Sequence, residues 1–170
     1  MNIADVTSAG TTPSRDVATG GKYLTFVLGD EEYGIEITRV REIIGIVDIT
    51  PVPKAPLFIK GIINIRGKVI PIVDMRAKFG MDQIDFTSQT CIIVVEVDDN
   101  LMGILVDTVS EVLDIQEENI DPPPSFGSES SAMFILGMAK IKGAVKILLN
   151  IDKVLDAKEM VSIEELTRPS

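Results

Sequence analysis

Few side chains in this sequence could carry covalent or acid–base chemistry, and their spacing argues against it. There is no histidine, so the commonest general base and metal ligand is missing. The one cysteine, Cys91, opens an apolar run and has no imidazole partner anywhere, which reads as a buried, inert thiol. A lone thiol also excludes an internal disulfide and fits a reducing compartment. Zinc is left without its ligand set. Gly20-Gly21-Lys22 has the ending of a phosphate-binding loop, but the loop's first glycine is absent and Tyr23 stands where Ser or Thr is needed. Asp98-Asp99-Asn100 has too few oxygens for a calcium loop and reads as a hairpin tip. Glu31-Glu32 and Glu117-Glu118 read as solvated turns. No two carboxylates fall in the opposed environments that acid–base catalysis requires. No catalytic residue, cofactor or metal is expected.

The signals for interaction are stronger. Ile37, Val40, Ile43 and Ile44 recur at a spacing that makes an apolar stripe if this stretch turns helically. Core packing is one reading of the stripe. The closely interleaved Glu36, Arg39, Arg41 and Glu42 point to a partly surface-exposed position as the other. The loop Thr50-Pro51-Val52-Pro53-Lys54-Ala55-Pro56 is stiff, because each proline fixes its own φ and restricts its neighbour. Stiff loops present side chains at low entropic cost. Arg66, on the tight turn Asn64-Ile65-Arg66-Gly67, offers a planar guanidinium suited to a partner's carboxylate or amide. An exposed turn arginine without a role has the same pattern.

The elements that would position these groups are mostly strands. Lys22–Leu28 alternates, Gly29–Glu32 is a turn, and Tyr33–Ile37 returns. Ile62–Ile65, Lys68–Val73, Cys91–Val97, Leu101–Val106 and Ala144–Asn150 are rich in Val and Ile. Close-set turns at Arg66-Gly67-Lys68, Asp98-Asp99-Asn100 and Lys142-Gly143 favour small barrels or sandwiches over βαβ units. Two short helices are expected, Met75–Phe79 capped by Asp74 and 151–160 capped by Asn150 or Asp152. Residues 1–21 read as a flexible tail, as do 161–170.

Composition narrows the class. The chain has 170 residues, 45% hydrophobic and 25% charged, which suits a globular protein and not a disordered one. No apolar run approaches the roughly 18 residues a membrane helix needs, so no insertion into a bilayer is expected. Sixteen basic against 26 acidic residues, with no tryptophan, disfavour nucleic acid as a partner, since the net field repels phosphates and stacking platforms are scarce.

An internal repeat organises the whole. Gly34–Ile44 matches Gly103–Leu113 at a step of 69 residues, with Gly, Ile, Val and Glu in register. Phe58–Met75 matches Phe134–Ile151 at a step of 76, so that Arg66 faces Lys142 and Asp74 faces Asn150. The longer step places extra residues in the Pro/Ser/Gly-rich stretch 121–131. Two copies of a module of about 65 residues follow, each too small to bury a core alone. The expected fold is all-β with short helices. It comprises two side-by-side pseudo-symmetric barrels, the first at about 22–83 and the second at about 88–150.

The run Phe58-Ile59-Lys60-Gly61-Ile62-Ile63-Asn64-Ile65-Arg66-Gly67-Lys68-Val69-Ile70-Pro71-Ile72-Val73-Asp74 is highly specific. With Leu28–Ile35 upstream and Gly103–Asp107 downstream, the chain resembles the CheW-like family, the coupling proteins of bacterial chemotaxis, over about 22–160. The resemblance implies two five-stranded SH3-like barrels and a non-enzymatic scaffold. It implies two partners, the cytoplasmic hairpin tip of chemoreceptors and the C-terminal regulatory domain of the histidine kinase CheA. The chain would then be cytoplasmic and held in receptor arrays through those partners. Glu42 and Arg66 fall on family positions linked to receptor coupling, with Gly61 and Asn64 in the same strand and turn. Leu24, Ile37, Val40 and Ile43 match the groove between barrels that would hold a receptor helix. The same module occurs inside CheA and, ahead of a receiver domain, in CheV; this chain carries neither extra domain, which favours a free-standing coupling protein. The alternatives are a regulatory domain cut from a CheA-type kinase and a small-molecule-binding double barrel or hydrolase-like enzyme.

Overall fold

The computed structural model describes residues 20–123 and 134–155. Eleven strands occur among them, in chain order: β1 Gly21–Leu28, β2 Glu31–Glu36, β3 Val40–Gly45, β4 Ile59–Ile65, β5 Lys68–Asp74, β6 Cys91–Val97, β7 Asn100–Val106, β8 Thr108–Ile115, β9 Ile120–Asp121, β10 Ile135–Ile141 and β11 Ala144–Leu149. Two single-turn helices accompany them, α1 Met75–Lys78 and α2 Ile151–Val154. The chain folds into two SH3-like barrels. One sheet has the order β9-β10-β11-β2-β1-β8 and the other β3-β6-β7-β5-β4.

The repeat is visible in the backbone. Asp74 Oδ1 accepts from the N–H groups of Arg76 and Ala77, at 3.0 and 3.3 Å. Asn150 Oδ1 accepts from those of Asp152 and Lys153, at 3.1 and 3.4 Å. Each cap satisfies helix-end donors that a single turn cannot satisfy internally. The amide of Asp74 donates to the Phe58 carbonyl, and that of Asn150 to the Phe134 carbonyl. Register shifts fall at Ile59/Gly61 and at Ile135/Gly137.

The barrels do not follow the contiguous division at about 22–83 and 88–150. The first hairpin, β1–β2, lies in the sheet of β10 and β11, and its repeat partner, β6–β7, lies in the sheet of β4 and β5. The copies have exchanged their leading hairpins. Two parallel contacts make the exchange, β2 beside β11 with Gly34 opposite Leu148, and β7 beside β5 with Gly103 opposite Ile72. The glycines are needed at the crossings. A Cβ on Gly103 would lie 2.6 Å from Ile72 Cδ1, and one on Gly34 would lie 3.0 Å from Leu148 Cδ2. Consequently the main core is common to both halves. Phe26, Leu28 and Ile35 from the first hairpin pack with Val95, Met102 and Ile104 from the exchanged one, and with Leu149, Ile151 and Val154. Smaller clusters fill each barrel, around Tyr23, Ile115 and Leu148 in one and Ile63, Ile72 and Ile92 in the other.

Two arginines tie the helices across the exchange. Arg76 on α1 donates to both oxygens of Asp107, at 2.8 and 2.6 Å, and the Gly29 amide adds a third bond to that carboxylate at 2.8 Å. Arg39 donates to both oxygens of Asp152 on α2 and to the Glu96 carbonyl. The Arg76 guanidinium, and after it the Gly29 amide, hold the Asp107 carboxyl below its ordinary range against the opposing effect of burial. Of the expected tail 1–21, Gly21 already opens β1, and of the expected insertion stretch 121–131, Asp121 closes β9; residues 1–19, 124–131, 161–170 and the part of the expected helix 151–160 beyond residue 155 lie outside the described residues.

Candidate interaction surface

The β4–β5 hairpin builds a tip from its own turn chemistry. Arg66 sits at φ 51 and Gly67 at φ 85, left-handed backbone in which glycine is unstrained. Asn64 Oδ1 accepts from the Gly67 amide at 3.1 Å and locks the turn. The Arg66 side chain is 73% exposed and forms an ion pair with Glu42 of β3. The charges are 24 residues apart in sequence, and the strand arrangement alone brings them together. A planar guanidinium held by one carboxylate still has outward-facing N–H donors.

Gly61 supports this tip from behind. At φ 153, a Cβ there would lie 2.3 Å from the Thr50 carbonyl oxygen and 2.7 Å from Ile49 Cγ2. The absence of that atom lets Thr50 exchange two 2.9 Å backbone hydrogen bonds with Ile62. The stiff loop is thereby fastened to β4, and Lys54 within it is also at positive φ. Between loop and hairpin lies a groove of about 490 Å³, with Val47, Ile62 and Val69 as its apolar surface and Asp48 and Asn64 among its polar lining. Val47 and Val69 are both about half-exposed.

The apolar residues expected in a groove divide. Leu24 is 2% exposed and lies in the main core, which corrects its expected place on an open surface. Its strand pairs on both sides, with β2 and with β8, so its side chain is enclosed. Ile37 and Val40 are half-buried against the same core. Ile43 is exposed. The helical stripe is corrected as well. Only Ile37–Arg39 makes a 3₁₀ turn, and Val40–Gly45 is a strand paired with β6. Period-two alternation therefore turns Val40, Glu42 and Ile44 inward and Arg41, Ile43 and Gly45 outward. Sequence reasoning missed Leu57, which is 96% exposed at the end of the proline loop. A leucine flanked by Pro56 and Phe58 carries no signal that separates a core residue from a displayed one.

Among the described residues no group of three His, Cys, Asp or Glu side chains could hold a metal. No helix among them is long and apolar enough to cross a membrane. Cys91 is partly buried, and desolvation pushes its thiol pKa up, away from the reactive thiolate.

Known proteins share this sequence and fold. The family described as CheW-like domain matches residues 22–159. The chemotaxis protein CheW of Klebsiella aerogenes is 36% identical over 149 residues, which cover 88% of this chain and 90% of that protein. The chemotaxis protein CheW of Rhizobium meliloti is 37% identical over 150 residues, 88% of this chain and 97% of that one. Among solved structures, the crystal structure of scaffolding protein TtCheW from Thermoanaerobacter tengcongensis matches with a TM-score of 0.71 at 37% identity. It covers 77% of this chain and 89% of its own.

Proposed function

The chain belongs to the CheW-like domain family, and on that premise we propose that it is a non-enzymatic scaffold of bacterial chemotaxis that couples chemoreceptor tips to the histidine kinase CheA. The observation that carries this reading is the Arg66–Glu42 pair on a locked turn, beside an apolar groove and exposed Ile43. A receptor tip is a helical bundle, and a helix laid on exposed aliphatic side chains gains affinity by burying them. Ile43, Val47 and Val69 could each contribute up to about 1.5 kcal/mol before ordering costs, since each is already half-buried. Arg66 and Glu42 would set register and partner choice, because a mismatched charge at the rim costs more than a matched one gains. Ile37 and Val40 would shape the floor between the barrels, with Leu24 beneath them. Gly61 and Asn64 act by holding the turn and the loop in place.

The CheA regulatory domain would engage a different face, so that this chain bridges two partners without chemistry of its own. Signalling through such a bridge is a shift of populations in the partners, transmitted by a rigid connector. Localisation to receptor arrays would follow from those contacts.

The test is a pair of separate titrations, of a soluble receptor hairpin-tip fragment and of the CheA regulatory domain, against the wild-type chain and the Arg66→Glu and Lys142→Glu variants. The expected result is saturable binding of both partners, with receptor affinity lost in Arg66→Glu and kept in Lys142→Glu. A folded Arg66→Glu chain that binds the receptor fragment as tightly as wild type removes Arg66 from the site. A wild-type chain that binds neither partner overturns the coupling role.

A further inference from the structure

Duplication gives each leading hairpin two candidate seats, one in its own half and one in the other. The hairpins β1–β2 and β6–β7 are counterparts, and each meets its seat at a glycine, Gly34 opposite Leu148 and Gly103 opposite Ile72. Leu148 and Ile72 are themselves counterparts at the step of 76, and both are fully buried aliphatic side chains. Register and apolar burial at the crossing therefore fit either hairpin to either seat. Misassembly between like units is a characteristic failure of repetitive chains. Contacts away from the crossing have to send each hairpin to the opposite half.

Those contacts are not alike. After β11, the helix α2 offers an anion: Arg39, which follows β2, donates to Asp152 Oδ2 at 3.0 Å. After β5, the helix α1 offers a cation at the same helix position: Arg76 donates to Asp107, which follows β7, at 2.8 and 2.6 Å. Asp152 and Arg76 are counterparts, and Arg39 and Asp107 lie one position apart in the repeat. The two clamps are the same contact with the charges reversed. Hairpins seated in their own halves would set Arg39 beside Arg76 and Asp107 beside Asp152. A third contact discriminates as well. Lys146 on β11 is buried and pairs with Glu32 on β2 at 2.5 Å. Its counterpart, Ile70, is buried on β5, and the counterpart of Glu32 is Leu101, which packs in the Ile70 cluster. Exchanged back, the hairpins would leave Lys146 buried against a leucine and Glu32 against an isoleucine, each without its counter-charge. Specificity of this kind comes from penalties against the wrong partner as much as from contacts with the right one.

We propose that these three contacts form a seating code, which sends each leading hairpin across the duplication and keeps it out of its own half. The proposal goes beyond the coupling role and does not rest on it. The test makes the two seats alike while each of the three contacts stays matched in the exchanged fold. In one full-length variant, Arg39→Asp with Asp152→Arg gives both clamps one polarity, and Glu32→Leu with Lys146→Ile copies the apolar contact of the other half. A control chain inverts both clamps, adding Arg76→Asp and Asp107→Arg to the first pair, and keeps Lys146 with Glu32. Seating is read after refolding from urea, by nuclear Overhauser contacts of the Gly34 α-protons. These reach the Leu148 methyls in the exchanged fold and the Ile72 methyls in a hairpin seated in its own half. Wild type and control should show the Leu148 set alone. The seat-matched variant should add an Ile72 set at about a tenth or more of the total, the level of a populated minor state. A folded seat-matched variant with the Leu148 set alone overturns the proposal, and so does a control that fails to give the Leu148 set. If the seat-matched variant does not fold, Arg39→Asp with Asp152→Arg alone decides. Its yield of the Leu148 set should fall about twofold or more below that of the control, and equal yields overturn the proposal.

Discussion

The two hairpin tips of this molecule share a backbone and differ in chemistry. Arg66 and Lys142 both stand at φ 51, followed by glycines at φ 85 and φ 80. Around the first tip, Asn64 clamps the turn and Arg66 meets Glu42. Around the second, the counterpart of Asn64 is Lys140, which pairs with Asp121 at 3.1 Å. The counterpart of Glu42 is Glu111, whose carbonyl and amide are both tied to the Thr25 hydroxyl, at 2.8 and 3.1 Å. The left-handed turn is a requirement of a tight hairpin and is met twice. The side chains that could discriminate a partner are assembled at the first tip. The segments that follow β3 and β8 differ similarly. After β8 the chain makes a 3₁₀ turn and the short strand β9, which pairs with β10. After β3 one isolated bridge, Thr50 to Ile62, does that work and leaves a groove beside it.

The comparison can be broken first at Gly61. Gly61→Ala drives a Cβ into the Thr50 carbonyl at positive φ, and about 3 kcal/mol or more of stability should be lost in urea unfolding. Gly45→Ala, in open space at the end of β3, should cost under about 1 kcal/mol. Equal costs would show that the bridge to Thr50 does not depend on the missing side chain.

The helix clamps come next. Asp107→Asn should cost about 2–3 kcal/mol, below the range for a fully buried pair because both side chains keep some exposure. The pH dependence has a definite sign. The Asp107 carboxyl is held below its unfolded value of about 3.9, so its contribution is present above that pH and is lost as pH falls through the lowered value. Acid unfolding curves of wild type and Asp107→Asn should therefore converge at low pH. Curves that stay parallel from neutral to acid would remove the carboxylate from the clamp's energetics.

At the alkaline end, burial first and then Glu36 push the Tyr23 pKa up to about 12. An unfolded tyrosine ionises near 10, so from pH 10 to 12 the unfolded chain holds fewer protons and stability falls, by about 2 kcal/mol. Tyr23→Phe should remove that alkaline slope, and an unchanged slope would assign it to another group. The smallest stability effect belongs to the tip. Arg66→Glu and Lys142→Glu should each change unfolding free energy by no more than about 0.5–1 kcal/mol, because an exposed ion pair contributes little. A larger loss in Arg66→Glu would mean that any binding defect measured for it reports unfolding.

Much of the fold is legible along the chain. The Val/Ile runs of β5, β6, β7 and β11 announce themselves, and Asp74 and Asn150 cap the helices that follow them. The repeat step places Lys142 where Arg66 has its counterpart. Val40–Gly45 is less legible, since its interleaved charges fit a helix or a strand, and pairing with β6 decides. Leu24 reads as readily for a groove as for a core, because alternation tells which side chains share a face and not whether that face is covered. Of the proposed site, the turn residues Asn64 and Arg66 are local and readable. The role of Gly61 is not, because the atom it must avoid belongs to Thr50.

What the sequence alone determined is local. Strand and turn chemistry, cap positions and the duplicated order of elements follow from spacings of two to four residues and from residue types. Only the tertiary structure decided which hairpin joins which barrel, since parallel pairing at Gly34 and Gly103 joins segments far apart in sequence. The same strand placement seats Glu42 against Arg66, because such a contact depends on the neighbours that folding supplies.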